Sequence, residues 1–223
     1  MQRVIVAGNG MAARNLVPYI AADDRYQIVG VTADDEFVAS GSLEGFDTIP
    51  LSLVPQTFPP TAARVIMAIG YGDLNRVRES VFGRLKQVGY VIETFVHPSA
   101  YVSRDAVVGE GCLILPGAVV EPQVTVGVNS VVWSNATLAH DCQVGDHCWI
   151  AAGTVVSGHA RIHRNTFVGV NATIVNDVTV GEYNLVGAAA FISRNTKSHS
   201  VYLARSAEPV RFSAEEYAQH FKV

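Results

Sequence analysis

The feature that most constrains this chain is a period of six. From Val96 onward every sixth residue is aliphatic: Val96, Val102, Val108, Ile114, Val120, Val126, Val132, Leu138, Val144, Ile150, Val156, Ile162, Val168, Ile174, Val180, Val186 and Ile192, seventeen positions without a gap. The residue two before each is small at most steps, as at Ala100, Ala118, Ser130, Ala136, Thr154, Ala160, Thr166, Ala172 and Ala190. Six residues fit neither the turn of an α-helix nor the alternation of a plain strand. They fit short strands separated by tight corners, three to a coil of about 18 residues. The aliphatic side chain fills the interior and the small one lets the chain bend beside it. Stacked coils then bury a column that no single coil could bury. A parallel β-helix is therefore expected over residues 96–195.

The three cysteines, Cys112, Cys142 and Cys148, all fall on the small-residue register and show no Cys-x-x-Cys spacing. Neither a disulfide framework nor a zinc knuckle is indicated. Buried cysteine behaves as a small hydrophobe, so a cysteine acyl-enzyme is disfavoured.

The first 95 residues read differently. Residues 3–7 form an apolar run followed by Gly8-Asn9-Gly10-Met11-Ala12-Ala13 and an amphipathic stretch through Ile20, which predicts strand, glycine turn and helix. Further strands are expected around Ile28–Val31, which leads to Asp34-Asp35, at Val65–Ile69, which ends at Gly70-Tyr71-Gly72, and at Val91–Phe95, with a helix over 74–88. Alternating strands and helices imply a small parallel sheet with ligands at the carboxyl ends of its strands. The Gly8-x-Gly10-x-x-Ala13 pattern fits either a tight turn or a phosphate-approaching loop at a helix N-terminus. With so few residues before the repeats, a mononucleotide or nucleotide-sugar ligand is expected rather than a dinucleotide. Asp34 and Asp35 stand where an acid commonly meets ribose or a sugar hydroxyl, or simply a turn.

Charged residues make up 16% of the chain and apolar residues 49%, with a formal charge of −4 and no block of like charges. This excludes a disordered chain and gives no electrostatic case for nucleic acid or an anionic membrane; small-molecule partners are expected. The N-terminus reads as a strand rather than a signal peptide and no apolar run is long enough to span a membrane, so a cytoplasmic protein is expected.

A small Rossmann-like unit ending in Phe95-Val96-His97-Pro98-Ser99-Ala100 and followed by an uninterrupted hexapeptide frame resembles the sialic-acid O-acetyltransferase (NeuD) and bacillosamine N-acetyltransferase (PglD) family of bacterial sugar acyltransferases, over about residues 3–195. The resemblance implies a left-handed β-helix, a homotrimer, acetyl-CoA as donor and a nucleotide-linked amino sugar or a sialic acid as acceptor. It also implies three parts: a nucleotide-sugar-binding domain over 1–95, an acyltransferase domain over 96–195 and a tail over 196–223. The segment Asn135-Ala136-Thr137-Leu138-Ala139-His140-Asp141-Cys142 matches the family's catalytic stretch, which makes His140 the base and Asp141 its partner. Family positions at acetyl-CoA fall on Trp149, Gly158, Val170 and Ala188, and those at the nucleotide sugar on Asn9, Gly10, Met11, Asp34, Asp35 and Gly72. Two departures stand out: Trp149 replaces a histidine found near the acetyl carbonyl in bacillosamine-type members, and Gly10-Met11-Ala12 replaces a Gly-His-Gly turn.

Acyl transfer from a thioester needs a base for the attacking amine or hydroxyl, a task that suits histidine, and donors for the developing oxyanion. N-acetylation of a nucleotide-linked amino sugar is the leading expectation and O-acetylation of a sialic-acid-like sugar the alternative. A non-catalytic trimeric scaffold and a γ-carbonic-anhydrase-like metalloenzyme are rivals of other classes. His147, His159 and His163 do not predict a metal site, because a separation of four aligns ligands on a helix and not in an 18-residue coil. Trp149, with Phe167 one coil later, should face outward, as a trimer interface or a wall facing CoA. Beyond Asn195 the frame is lost, and a helix from Ser213 to Phe221 is expected in a tail that covers the end of the coil.

Overall fold

The structure is a computed structural model and describes residues 1–40, 42–43 and 45–222. Its first part is a four-stranded, all-parallel sheet in the order β3 (Thr48–Pro50), β2 (Tyr26–Ala33), β1 (Gln2–Ala7), β4 (Arg64–Met67). The strand β3 escapes the sequence reading because it has three residues and ends in proline, which weakens any strand signal. The expected strand over Val91–Phe95 is reduced to a bridge between Ile92 and Val65, with Phe95–Val96 already belonging to the first coil.

Helix α1 (Met11–Ala21) buries Ala13, Leu16, Val17 and Ile20 against the sheet, a spacing that fits one helical face. A single turn, α2 (Val54–Thr57), precedes β4. Helix α3 (Arg76–Val88) buries Arg78, Val81 and Leu85 and stops at Gly89, whose φ of 101° lets its N–H return to the Leu85 and Lys86 carbonyls.

From Phe95–Val96 to Phe191–Ile192 the chain forms two-residue strands every six residues. Successive coils pair in parallel at a spacing of 18 residues, as Val131 does with Trp149 and Trp149 with Phe167, and with Val201–Tyr202 added at the end of one stack this builds three sheets of five, seven and six strands. All the expected aliphatic positions from Ile114 to Ile192 are buried in one column. Cys112, Cys142 and Cys148 lie in that column fully buried, and burial pushes their thiols up to about 11, 12 and 12. Where the small position is polar its hydroxyl is satisfied along the stack: Ser130 donates to the Gly145 carbonyl (2.8 Å), Thr154 to Gly169 (3.0 Å) and Thr166 to Gly181 (2.9 Å).

The corners obey a second register of six. Gly111, Gly117, Gln123, Asn129, Asn135, Asp141, His147, Gly153, His159, Asn165, Asn171, Asp177, Tyr183 and Ala189 all have positive φ, between 52° and 73°. Glycine, asparagine and aspartate dominate because they tolerate the left-handed region best.

The seven-stranded sheet turns its outer side chains Phe95, Leu113, Val131 and Trp149 toward the first part, where they pack with Val4, Val6, Leu16 and Ile20. Burying each such large side chain contributes about 1.5–3 kcal/mol, so the two parts share an apolar junction. Polar groups close its edge. The Glu79 carboxylate accepts from Arg164 and from Asn165 Nδ2 (2.9 Å), and His147 shares a 2.9 Å hydrogen bond with Asn129.

After the frame ends, Thr196 bonds Thr179 and Gly181, and Val201–Tyr202 pairs with Leu185–Val186. Residues 196–202 thus cover part of the coil end. Helix α4 (Ala214–Phe221) has a complete capping box between Ser213 and Glu216 but buries none of its residues, so it does not cover the coil as the sequence suggested.

Candidate active site

Two places in the fold gather the residues singled out by the sequence. The first is a cleft of about 550 Å³ at the carboxyl ends of β1, β2 and β4. Asn9, Gly10, Met11, Asp34 and Gly72 all line it, with Tyr71, Trp133 and Trp149 at the side of the β-helix. Gly8 makes the turn that opens it: its φ is 124° and a Cβ there would stand 2.5 Å from the Ala68 carbonyl oxygen. Gly10 caps α1 without any side chain, so the first amides of the helix face the cleft end uncapped. Asn9 donates to the Phe37 carbonyl at 2.8 Å.

Asp34 does not offer a free carboxylate. Arg84 of α3 pairs with it at 2.6 Å, a partner fifty residues away that no local pattern announces. Asp35 lines an adjoining recess instead of the cleft and accepts from the Ser52 hydroxyl at 2.6 Å, which holds its carboxyl below the usual range.

Trp149 is 4% exposed and packs with Trp133 (5.6 Å between ring centroids) and Tyr71 (5.1 Å), and Tyr71 also meets Phe167 at 4.6 Å. The aromatic row therefore faces the first part of its own chain. Periodicity fixes that the row points outward but not what packs against that face.

The second place is the corner between the six-stranded and five-stranded sheets, where His140 and Asp141 stand. His140 Nδ1 lies 3.0 Å from Asp141 Oδ2, and the His140 main-chain N–H donates to Glu121 at 2.8 Å. With Nδ1–H held by Asp141, the free lone pair of the ring is on Nε2. Glu121 was missed in the sequence, although it precedes Ala139 by one coil.

Gly158 is the floor of this corner. A Cβ on it would lie 2.7 Å from Cε1 and 2.8 Å from Nε2 of His140, so the imidazole rests on bare backbone. His159 meets the His140 ring edge to face at 5.3 Å. Donor atoms of His140, Asp141 and His159 lie within 4.8 Å of one another, all on exposed residues. His159 follows Asp141 by one coil, a juxtaposition that the four-residue spacing of His159 and His163 does not reveal.

Val170 and Ala188 are exposed and stack one coil apart on the corner between the seven-stranded and six-stranded sheets. Within one chain the expected acetyl-CoA positions are thus divided: Gly158 under His140, Val170 and Ala188 on another corner, and Trp149 on the face opposite His140. The cleft and His140 are likewise on opposite sides of the coil.

The family model of bacterial transferase hexapeptide repeats matches residues 105–140. No curated protein matches the sequence. Among solved structures, the acetyltransferase domain of PglB from Neisseria gonorrhoeae is 25% identical with a TM-score of 0.81, covering 94% of this chain and all of that one. A histidine-to-asparagine variant of perosamine N-acetyltransferase from Caulobacter crescentus, solved with CoA and GDP-perosamine, is 22% identical with a TM-score of 0.82 over 93% of this chain and 96% of that one. WeeI from Acinetobacter baumannii is 19% identical with a TM-score of 0.79 over 93% of this chain and 99% of that one. Among the described residues no helix is long and apolar enough to cross a membrane. A Rossmann-like sheet joined to a left-handed hexapeptide β-helix with a short C-terminal helix gives this chain the fold of the hexapeptide-repeat sugar acetyltransferases.

Proposed function

We propose that the chain transfers an acetyl group from acetyl-CoA to the amine of a nucleotide-linked amino sugar, with His140 as general base and Asp141 holding its tautomer. The observation that carries this reading is the His140–Asp141 contact of 3.0 Å on an exposed corner, above a glycine that leaves the ring room to receive a substrate. Nε2 takes the proton as the amine attacks the thioester carbonyl. The carboxylate stabilises the imidazolium that forms, and the thiolate of CoA leaves. Main-chain N–H groups at the corner supply the oxyanion donors. Similarity to the PglB domain and to a perosamine N-acetyltransferase bound to CoA and GDP-perosamine supports the donor and acceptor classes.

In this reading the cleft binds the nucleotide sugar through Asn9, Gly10, Met11, Asp34 and Gly72, and acetyl-CoA lies along Gly158, Val170 and Ala188. Trp149 belongs to the acceptor side. Because the cleft and His140 lie on opposite sides of one coil, acceptor and base meet between copies, in a homotrimer. Residues 1–95 are then the acceptor domain and 96–195 the transfer domain. O-acetylation of a sialic-acid-like sugar would use the same base.

The test is mass-spectrometric product detection with acetyl-CoA and panels of nucleotide amino sugars and sialic acids, paired with His140→Asn. Acetylated product from an amine acceptor is expected, with turnover reduced by about 10²–10⁴-fold in the variant. No product from any acceptor, or undiminished turnover in His140→Asn, would overturn the reading.

A further inference from the structure

The cleft has an electrostatic peculiarity. Among the described residues no lysine or arginine lines it, and the one acid that does, Asp34, is neutralised by Arg84. One cation nevertheless lies immediately behind its wall. Arg78 is 0% exposed, and its guanidinium donates to the carbonyls of Met67 (2.8 Å), Ile69 (3.1 Å), Asn129 (3.0 Å) and Gly111 (3.4 Å). Met67 and Ile69 flank Ala68, and Ala68 through Gly72 form the cleft wall at the end of β4.

A buried arginine ordinarily has a carboxylate partner, since an unpaired charge away from water is costly. Among the described residues none pairs with Arg78. Burial draws its pKa down to about 10, which still leaves it charged at neutral pH. Carbonyl acceptors satisfy its hydrogen bonds but cancel none of its net charge. A field from a buried charge is also screened less by salt than one from the surface. Helix α1 adds a partial positive charge from the opposite side, where Gly10 leaves its N-terminus uncapped.

We infer that Arg78 is the charge that selects phosphorylated ligands in this cleft: a cation one backbone layer behind the Ala68–Gly72 wall, free of any acid, that raises affinity for the phosphates of a nucleotide without touching them. The inference rests on the nucleotide-sugar reading above and deepens it. It differs from a purely architectural role, in which Arg78 ties the end of β4 to the β-helix corner and would affect neutral and anionic ligands alike.

Calorimetric titration of the full chain with uridine, UMP and UDP, and with guanosine, GMP and GDP, at low and high salt separates the two. In the wild type, affinity should rise by on the order of tenfold from nucleoside to diphosphate, with little loss at high salt. Arg78→Lys should keep that ratio. Arg78→Gln, which keeps an amide donor for the carbonyls but no charge, should lower the ratio severalfold, to what the α1 N-terminus alone supplies, while nucleoside affinity stays within about threefold. A folded Arg78→Gln protein that keeps the wild-type ratio overturns the inference, as does loss of the preference in Arg78→Lys. Equal wild-type affinities for nucleoside and diphosphate overturn it without any variant. Absence of binding by every member of both series overturns the nucleotide-sugar reading itself.

Discussion

Replacing Gly158 by alanine probes the geometry of the base with little disturbance elsewhere. The new methyl carbon would sit 2.7 Å from Cε1, 2.8 Å from Nε2 and 3.2 Å from Nδ1 of His140. Carbon atoms settle at about 3.5 Å or more, so the ring must retreat by roughly 0.7–0.8 Å. Gly158 is not among the residues with positive φ, so the backbone accepts alanine and the nearest atoms the methyl meets are those of the ring. That retreat strains the 3.0 Å contact with Asp141 and moves Nε2 away from the reacting amine. Misplacement by about 1 Å costs on the order of 10²-fold in rate, so kcat should fall about 30- to 100-fold. The His140 side chain is half exposed, so the melting temperature should stay near that of the wild type. Steady-state kinetics on the acetylated product, thermal melts and a crystal structure of the variant check the three parts. An unchanged kcat with the ring displaced would refute the claim that this placement of His140 serves catalysis.

Two further outcomes follow from the packing. Ala189→Gly should stabilise the chain by up to about 1 kcal/mol, since Ala189 is held at a φ of 54° and relief of left-handed strain exceeds the added freedom of the unfolded chain; denaturant unfolding measures it. Burial lowers the pKa of His147, which packs among Glu79, Asp146, Arg164, Arg78 and Phe82. The unfolded state then binds the extra proton first, so this contribution to stability is present above the unfolded value of about 6.5 and is lost as pH falls below it. His147→Gln should flatten the acid limb of the stability curve, and an unaltered limb would count against it.

The β-helix was legible because each aliphatic residue from Val96 to Ile192 answers the same local question, what fits inside a coil. The corner register was equally present but harder to see: Gly, Asn and Asp share its positions with His147, His159, Tyr183 and Ala189, types linked by tolerated backbone geometry and not by polarity or size. Asn9, Gly10 and Gly72 could be placed at the cleft from the family resemblance, and their turns directly after predicted strands agree with it. Trp149 could not, because the face it shares with Leu113 and Val131 is covered by α1 and β1, a packing decision made between parts far apart in the chain. The Asp34–Arg84 pair and the Arg78 carbonyl cluster were hidden for the same reason.

The unbroken spacing from Phe95 to Ile192 also limits how such a chain can change over evolutionary time. Deleting a single residue anywhere along it would bring every later aliphatic out of phase with its neighbours and would carry His140 off its corner if the loss came earlier. Substitution is cheap by comparison, because outward positions answer only to local neighbours. The lineage can therefore alter its acceptor one side chain at a time, and can grow only by whole coils or by loops that leave and re-enter at the same corner.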